Sequence, residues 1–270
     1  MRSRSPQGYD KGKRRNSIML SDPVFIVAAL TATLCVGLSK GGFGGSLAIF
    51  GTPILAMAVP PVQAAAILLP VLVGLDMLGL YLYRHRFDVR SLTLMLPGAI
   101  VGIGIGWSVA AYVDDDAIRF LIGVTAVLFG LDYFVFDRAN LPPRSHNPRK
   151  AAICGSLAGF TSFVAHAGGP PWQIYMAPLK LDKLLFAGTG VVFFTTVNAI
   201  KLVPYAALGQ FSTQNLVISA CLIPPAFAAG ITGAWLVKVV PQHTFYKVVH
   251  IAILLVGMKL VFDGVSGFLD

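Results

Sequence analysis

The charged residues of this chain are gathered into short clusters, and the stretches between the clusters are long and apolar. Eight charged residues lie in residues 1–22, and 18 more lie in five short connecting stretches. A bilayer core ~30 Å thick needs about 20 apolar residues per helix, and the intervals between the clusters have that length. They predict spans at 23–40, 62–83, 91–111, 117–136, 151–167, 184–208, 214–237 and 245–262, and two shorter apolar pieces at 45–59 and 170–179.

Composition supports the same conclusion and excludes several classes of protein. Only 12% of the residues are charged, against about 25% in a soluble domain, and the sequence contains no Glu. An ordinary cytosolic enzyme, a disordered chain, a basic nucleic-acid binder, and HExxH or Walker-type sites are therefore excluded. The three cysteines lie in apolar runs without metal-like spacing, which is typical of packing residues. We predict an all-α polytopic membrane protein that is not an enzyme and binds no metal, cofactor or nucleic acid.

An internal repeat divides the chain into two halves. Pro97-Gly98-Ala99 and Trp107 match Pro225-Ala226-Phe227 and Trp235 at one offset, and a similar offset relates Gly44-Gly45 to Gly168-Gly169. Each half contains a long helix, a glycine-rich break, a short helix and three long helices. The predicted regions are a disordered, retained basic arm (1–22), repeat 1 (23–136), a cytoplasmic linker (137–150) and repeat 2 (151–270). Duplicated halves of this kind are typical of secondary transporters.

Two topologies are open. If the short pieces cross the membrane, each half has five crossings and the repeats are inverted, which we favour. The basic stretches 84–90, 137–150, 180–183 and 238–247 then all face the cytoplasm, and only the N-terminal arm violates the positive-inside rule. If the short pieces are re-entrant, eight helices cross, the arm lies inside, and Lys180, Lys183, Lys238 and Lys247 lie outside.

The glycine-rich breaks are the first candidate for a substrate site. Irregular backbone at membrane depth is tolerated where it lines a polar cavity, and both breaks open short helices whose N-termini favour anions. The alternative is close helix packing, which we prefer for Gly102, Gly106, Gly155 and Gly159. The candidate binding residues in the two breaks are Gly41, Gly42, Gly44, Gly45 and Ser46, and His166, Gly168, Gly169 and Gln173.

Charges inside the apolar stretches are the second candidate. Ionisable residues at mid-membrane are costly and therefore functional by default. Lys40 adjoins the first break, and Lys201 lies one turn after Asn198. Lys201 is either a substrate or coupling residue, or it forms a structural ion pair with Asp76. His166 is either a proton shuttle or a packing histidine. Asp132 and Lys259 lie nearer span ends and receive no role.

The segments KGGFGGSLAIFGTPILAM and AGFTSFVAHAGGPPWQIYMAPL, with Gly188 to Lys201, resemble the TauE/SafE family of membrane transporters, the sulfite exporter family. The resemblance extends from about residue 22 to 265. It implies a duplicated helical bundle in the cell (inner) membrane that transports sulfite, a sulfonate such as sulfoacetate, or a related oxyanion. It also implies site positions at Lys40, at the paired glycines with Pro170, and at Asn198 and Lys201. Because Asp76 replaces the Asn-x-x-Lys pattern in repeat 1, we expect two chemically unequal half-sites.

We therefore predict a secondary transporter, an exporter, that binds a small anion at mid-membrane between the glycine-rich helix N-termini and buried lysines. The expected partners are the anion and the lipid bilayer, and a homodimer is left open. Export along the anion's own gradient and proton coupling through His166 or Asp76 are both open. The rival classes are an intramembrane enzyme, for which no motif speaks, a membrane sensor or scaffold that binds an anion without moving it, and a transporter of a different small anion.

Overall fold

The structure, a computed structural model, describes residues 22–41, 46–83, 85–135, 144–239 and 242–268, and within them it contains helices and no strand. The predicted all-α class is confirmed. Both halves have the predicted order of elements. In repeat 1 these are α1 (Pro23–Gly41), a 3-10 helix (Ser46–Phe50) that continues into α2 (Gly51–Ala56), α3 (Pro61–Tyr83), α4 (Val89–Tyr112) and α5 (Asp115–Val135). In repeat 2 they are α6 (Pro148–Ala165), α7 (Gly169–Met176) with a 3-10 helix (Ala177–Leu179), α8 (Lys183–Ala207), α9 (Thr213–Val239) and α10 (Gln242–Gly267).

Five of these helices are long and apolar enough to cross a membrane. The qualifying segments lie in α1, α3, α4, α8 and α9, at Pro23–Lys40, Pro61–Tyr81, Val89–Tyr112, Leu184–Ala207 and Thr213–Gly233. The helices α5, α6 and α10 occupy three further predicted spans and contain 21, 18 and 26 residues. Every predicted span therefore corresponds to a helix, and the chain is a multi-pass membrane protein.

Several helices begin where a polar connecting stretch supplies a cap. A side-chain oxygen of Asp88 accepts a hydrogen bond from the Ser91 N–H at 2.9 Å at the start of α4. Asn147 accepts from the Lys150 N–H at 3.0 Å at the start of α6, and Asp182 accepts from the Leu184 N–H at 3.0 Å at the start of α8. Such caps satisfy N–H groups that have no partner inside the helix.

The glycines outside the breaks allow helices of the two halves to pack closely. Helix α4 packs along α6, and α1 packs along α9. A methyl group added to Gly102 would lie 2.0 Å from the Ser156 carbonyl oxygen, and one added to Gly159 would lie 2.1 Å from that of Ala99. The packing interpretation of Gly102 and Gly159 is thus confirmed. Gly155 and Gly106 also pack closely, since an added methyl group would lie 2.3 Å from the Met95 carbonyl oxygen at Gly155 and 2.9 Å from the Phe163 ring at Gly106.

Equivalent helices of the two halves run antiparallel where they meet. In the α3–α8 pair, the Arg86 carbonyl that follows α3 lies against Gly188 near the start of α8, whereas Asp76 in α3 contacts Asn198. In the α5–α10 pair, Gly123 lies against Val261 and Gly264 lies against Phe120. Antiparallel equivalent helices are required by inverted repeats and favour that arrangement, which stays a prediction.

Three basic connecting stretches meet at one end of the bundle. The Asp88 N–H donates to Thr189 Oγ1 at 2.7 Å, His146 Nε2 lies 3.8 Å from Asp88 Oδ2, and the Arg144 N–H donates to the Pro178 carbonyl at 2.8 Å. We call this the basic end, defined by residues 85–90, 144–150 and 178–182. The shared location is the one that the crossing alternative predicts, since the re-entrant alternative separates Lys180 from the other two stretches.

A side chain at the basic end has a shifted pKa. Partial burial of Asp88 works against its ionisation, but hydrogen bonds from the side chain and backbone of Ser91 and the charge of His146 outweigh it. The pKa of Asp88 is therefore lower than its ordinary value of 3.8.

The opposite end of the bundle contains an open cleft. The cleft has a volume of about 420 Å³ and is lined by residues that begin or end helices, among them Pro60, Ala111, Asp115 and Gln210. We call it the outer cleft.

Candidate functional site

The second glycine-rich break lies buried inside the bundle. Helix α6 ends at Ala165, and His166 adopts the left-handed conformation with φ 53°. Its N–H and that of Ala167 still bond back to the carbonyls of Ser162 and Thr161, both at 3.1 Å. Gly168 then precedes α7. The left-handed conformation is costly for a residue with a Cβ, and strain of this kind is found at functional sites.

The N-terminus of α7 offers fewer hydrogen-bond donors than the sequence suggested. Pro170 and Pro171 occupy its first turn, and proline has no N–H. The Trp172 N–H bonds to the Gly168 carbonyl at 3.2 Å. The free donors of this terminus are therefore restricted to the two glycines before the prolines, although the helix dipole still favours an anion there.

In the first half, Lys40 and Asp76 form an ion pair. Lys40 Nζ contacts Asp76 Oδ1, and Asn198 Nδ2 from the second half donates to Asp76 Oδ2 at 2.6 Å. Asp76 is buried, whereas 21% of the Lys40 side chain is exposed. Asp76 and Asn198 are 122 residues apart, close to the offset between Gly44-Gly45 and Gly168-Gly169, so nearly equivalent positions of the two halves contact each other here.

In the second half, Lys201 is fully buried, and none of its hydrogen-bond partners in the described part of the chain is a carboxylate. Its Nζ lies 2.9 Å from the Ser162 carbonyl, 3.0 Å from Ser162 Oγ and 2.8 Å from His166 Nδ1. Three acceptors match the three N–H groups of an ammonium. Of the two alternatives for Lys201, the structure does not form the ion pair with Asp76, because Lys40 contacts Asp76 and the Lys201 ammonium lies against the end of α6.

His166 joins this cluster to the first half. Its Nε2 lies 2.9 Å from the Ala65 carbonyl oxygen. A carbonyl can only accept a hydrogen bond, so this contact assigns the proton to Nε2 and leaves Nδ1 free to accept from Lys201. The geometry therefore corresponds to a neutral, hydrogen-bonded histidine between Lys201 and α3.

Together these residues hold more positive than negative charge. Lys40 and Lys201 supply two ammonium groups, Asp76 supplies one carboxylate, and His166 is neutral in the assigned tautomer. With Lys201 protonated, as the three acceptors around its Nζ indicate, the described cluster has a net charge of +1. Burying an uncompensated charge is expensive, so a negative ligand would complement this cluster.

A small cavity lies against the cluster. Its volume is about 40 Å³, which is room for about two or three water molecules. An anion of several heavy atoms fits only if the walls separate. Its lining consists of Lys40, Ala48, Leu72, Ser162, His166, Gly169, Phe194 and Asn198. We call this the central cavity.

The structure describes most of the predicted site residues. It brings together Lys40, Asp76, His166, Gly169, Asn198 and Lys201. Gly168 is packed so that a methyl group there would lie 2.7 Å from the Ala158 carbonyl. Gln173 is half-buried on α7 and is not part of the cavity lining. Gly41 ends α1 and Ser46 begins the 3-10 helix, while Gly42, Gly44 and Gly45 lie outside the described residues.

Sequence reasoning missed Ser162, the Ala65 carbonyl and Phe194. The first two act through a hydroxyl and a backbone oxygen, which have no sequence signature in an apolar helix. Ser162 could have been found by its distance of four residues from His166, which is one helical turn.

The described residues contain no group of three or more His, Cys, Asp or Glu side chains that could hold a metal ion. Cys35, Cys154 and Cys221 form no disulfide bond.

Residues 29–260 match the family model described as "Sulfite exporter TauE/SafE". No curated protein and no solved structure matches the chain. The match covers most of the chain, including every residue of the polar cluster.

Proposed function

We propose, from the premise that this chain belongs to the sulfite exporter TauE/SafE family, that it is a secondary transporter that exports a small sulfur-containing oxyanion. Family membership implies a membrane exporter of sulfite or related sulfur anions rather than an enzyme. The substrates that we propose are sulfite, sulfoacetate or a related sulfonate, and the location is the inner cell membrane.

The observation that carries this proposal is the excess positive charge beside the central cavity. Lys40 faces the cavity and Lys201 adjoins it through Ser162 and His166, yet Asp76 is the single carboxylate of the described cluster. A monovalent anion would neutralise the cluster, and a divalent one would leave it at −1. Because the surroundings are apolar, such an attraction is stronger than in water.

The donors around the cavity are suited to an oxyanion. We propose that the anion accepts hydrogen bonds from Lys40 Nζ, Asn198 Nδ2 and the Ser162 hydroxyl, while the dipole of α7 points at it beyond Gly169. The anion then competes with Asp76 for Lys40. Loss of the Lys40–Asp76 contact would free α1 from α3, and this couples binding to a movement between helices.

The orientation that we propose for the protein in the membrane is based on its charge. The positive-inside rule places the basic end in the cytoplasm and the outer cleft on the other side. We propose inverted repeats that rock about the central cavity, so that it opens to each side in turn. This orientation would put the N-terminal arm on the outer side, against the rule; its residues 1–21 are not among the described residues.

Counterflow in proteoliposomes tests the proposal. The purified protein is reconstituted with unlabelled sulfite inside, and uptake of radiolabelled sulfite is measured. We expect uptake in the wild type and in the control Lys259→Gln, which removes an exposed lysine paired with Asp263 on α10. We expect none in Lys201→Gln.

The outcomes separate the candidate functions. Sulfite binding without counterflow would indicate a sensor or scaffold and contradict the transporter. Counterflow of another small anion without competition by sulfite or sulfoacetate would contradict the substrate class alone.

A further inference from the structure

We infer that the transport path follows one face of α8 and is closed by two aromatic barriers. The inner barrier consists of Trp172 and Phe194, toward the basic end. The outer barrier consists of Phe163 and Tyr205, toward the outer cleft. This inference rests on the proposed function and assigns to it residues beyond the charged cluster.

One face of α8 passes through every cavity of the path. Residues three or four positions apart share a helix face, and this face carries Phe186, Phe194, Asn198, Lys201 and Tyr205, followed by Leu208 at the helix end. Phe194 and Asn198 line the central cavity, Tyr205 lines a second cavity, and Leu208 lines the outer cleft. The cavities therefore follow one another along the helix.

The second cavity lies between the outer barrier and the outer cleft. It has a volume of only about 10 Å³ and is lined by both rings of the outer barrier. Val62 and Ala110 line this cavity and the outer cleft as well. The two cavities therefore adjoin, and the space between the outer cleft and the outer barrier is only about 10 Å³.

The outer barrier is tightly closed. The rings of Phe163 and Tyr205 stack with their centroids 4.8 Å apart, and the Tyr205 hydroxyl donates to the Phe163 carbonyl at 2.6 Å. Each side chain is 1% exposed. Ser162, the neighbour of Phe163, bonds Lys201, and Tyr205 lies one turn after Lys201. A shift of Lys201 toward an anion would therefore move both sides of the barrier.

The inner barrier contains an unused hydrogen-bond donor. The Trp172 ring lies between Phe186 and Phe194, with centroid distances of 4.8 and 5.8 Å, and Gly190 leaves room for it on α8. Trp172 is 4% exposed, and among the described residues its Nε1 has no acceptor. A buried N–H without a partner is unfavourable. An oxyanion that passes this barrier would provide the acceptor.

Thiol labelling tests both barriers. The three native cysteines are replaced by Ala, and Ala48, a buried residue of the central cavity, is replaced by Cys as a reporter. A membrane-impermeant methanethiosulfonate is applied from the outer side of right-side-out vesicles and from the basic-end side of inverted ones. We expect slow labelling from both sides in the parent.

Each barrier variant should open one side. Tyr205→Ala should accelerate labelling from the outer side at least tenfold, and Trp172→Ala should do so from the basic-end side. Tyr205→Phe keeps the stack and loses the hydrogen bond, so it should give a smaller acceleration. The matched control Phe160→Ala removes an aromatic ring one turn before Phe163 that lines none of the three cavities and should change neither rate.

The labelling and the sulfite binding of each purified variant are read separately. An unchanged outer rate in a Tyr205→Ala protein that still binds sulfite would overturn the outer barrier, as would equal acceleration by Phe160→Ala. If Tyr205→Ala does not fold, the outer labelling rate of Tyr205→Phe tests the outer barrier, and an unchanged rate in that variant would overturn it. Absence of sulfite binding in the wild type, whose Ala48 is unchanged, would contradict the proposed function, while the labelling rates would still test the barriers.

Discussion

The two halves of the molecule use the same elements at the central cavity but carry their charges on different ones. In the first half the ammonium of Lys40 lies at the end of the first helix, α1, and forms an ion pair with Asp76 on the third helix, α3. In the second half Lys201 lies on the third helix, α8. Its ammonium donates hydrogen bonds to the neutral acceptors Ser162 and His166 at the end of the first helix, α6. The two halves therefore repeat the same helices, but their charged side chains lie on different ones.

This difference indicates which half holds the anion's counter-charge. Lys40 is already neutralised by its own half, so the uncompensated charge belongs to Lys201. In the first half, the anion can then displace Asp76 from Lys40. In the second half, the charge of Lys201 attracts the anion permanently. Four predictions test this division of roles, and they are given in order of decreasing effect.

The largest effect is expected from Lys201. Lys201→Gln removes the uncompensated charge and should weaken sulfite binding by at least about 30-fold, the lower end of the 2–5 kcal/mol range for buried charged partners. Lys201→Arg should restore only part of the affinity, since a planar guanidinium fits the acceptors differently. Isothermal titration of the purified variants measures this. Wild-type affinity in Lys201→Gln would assign the anion to the first half.

The second effect concerns what the halves share, which is packing. Gly37→Ala and Gly159→Ala each place a methyl group against a carbonyl oxygen, at 2.3 and 2.1 Å. Both should lower stability by about 1–3 kcal/mol, with transport per folded molecule preserved. Gly104→Ala is the control, because nothing lies within 4 Å of its added methyl group. Thermal unfolding in detergent provides the comparison, and a loss confined to one glycine would show unequal packing.

The third effect is expected from Asp76. Asp76→Asn leaves Lys40 without its counter-charge and raises the cluster to +2, so sulfite should bind about tenfold more tightly, or ~1.4 kcal/mol, and exchange more slowly. Added to Lys201→Gln, the same change returns the cluster to +1. Partial recovery of binding in the double variant would support the charge argument. No recovery at all would show that the identity and position of Lys201 matter instead of net charge.

The smallest effect is expected from the N-terminal caps of the fourth helix in each half, α4 and α9. Asp88 caps α4 and Ser212 accepts from the Asn215 N–H at the start of α9, at 3.2 Å. Replacement of either by Ala should cost about 0.5–2 kcal/mol. The pKa of Asp88 is lower in the folded protein, so its contribution is present above the unfolded pKa and is lost as the pH falls through the folded value.

The difference in melting temperature between wild type and Asp88→Ala should therefore shrink at acid pH. The difference for Ser212→Ala should stay constant, because a hydroxyl does not titrate there. A constant Asp88 difference down to acid pH would contradict the assigned cap.

Much of this architecture was predictable from the sequence, for a physical reason. A helix in hydrocarbon must satisfy its own backbone, so the spacing of charged clusters predicted every long helix. The paired glycines predicted the second break, between α6 and α7, for the same reason. The intramembrane charges Lys40, Asp76 and Lys201 were expected at a common site because burying them separately is expensive.

The pairing within the site was not predictable. Which ammonium reaches Asp76 depends on side-chain reach across α1, α3 and α8, and nothing in the spacing of the sequence encodes it. The sequence shows Pro170 and Pro171, which lack N–H donors at the start of α7. The anion-site prediction considered only the helix dipole and overlooked this loss. The role of Ser162 depends on a carbonyl near the end of α6 that accepts both the His166 N–H and Lys201 Nζ, and the sequence does not reveal this second contact.

The most direct test of the account is an experimental structure with selenite, the heavier analogue of sulfite, located by its anomalous scattering. The account predicts one selenium peak in the central cavity, with its oxygens within about 3.2 Å of Lys40 Nζ and Asn198 Nδ2, and the loss of that peak in Lys201→Gln. A peak confined to the arginines of the basic end, or an unchanged central peak in Lys201→Gln, would contradict the claim that the excess charge of the second half binds the anion.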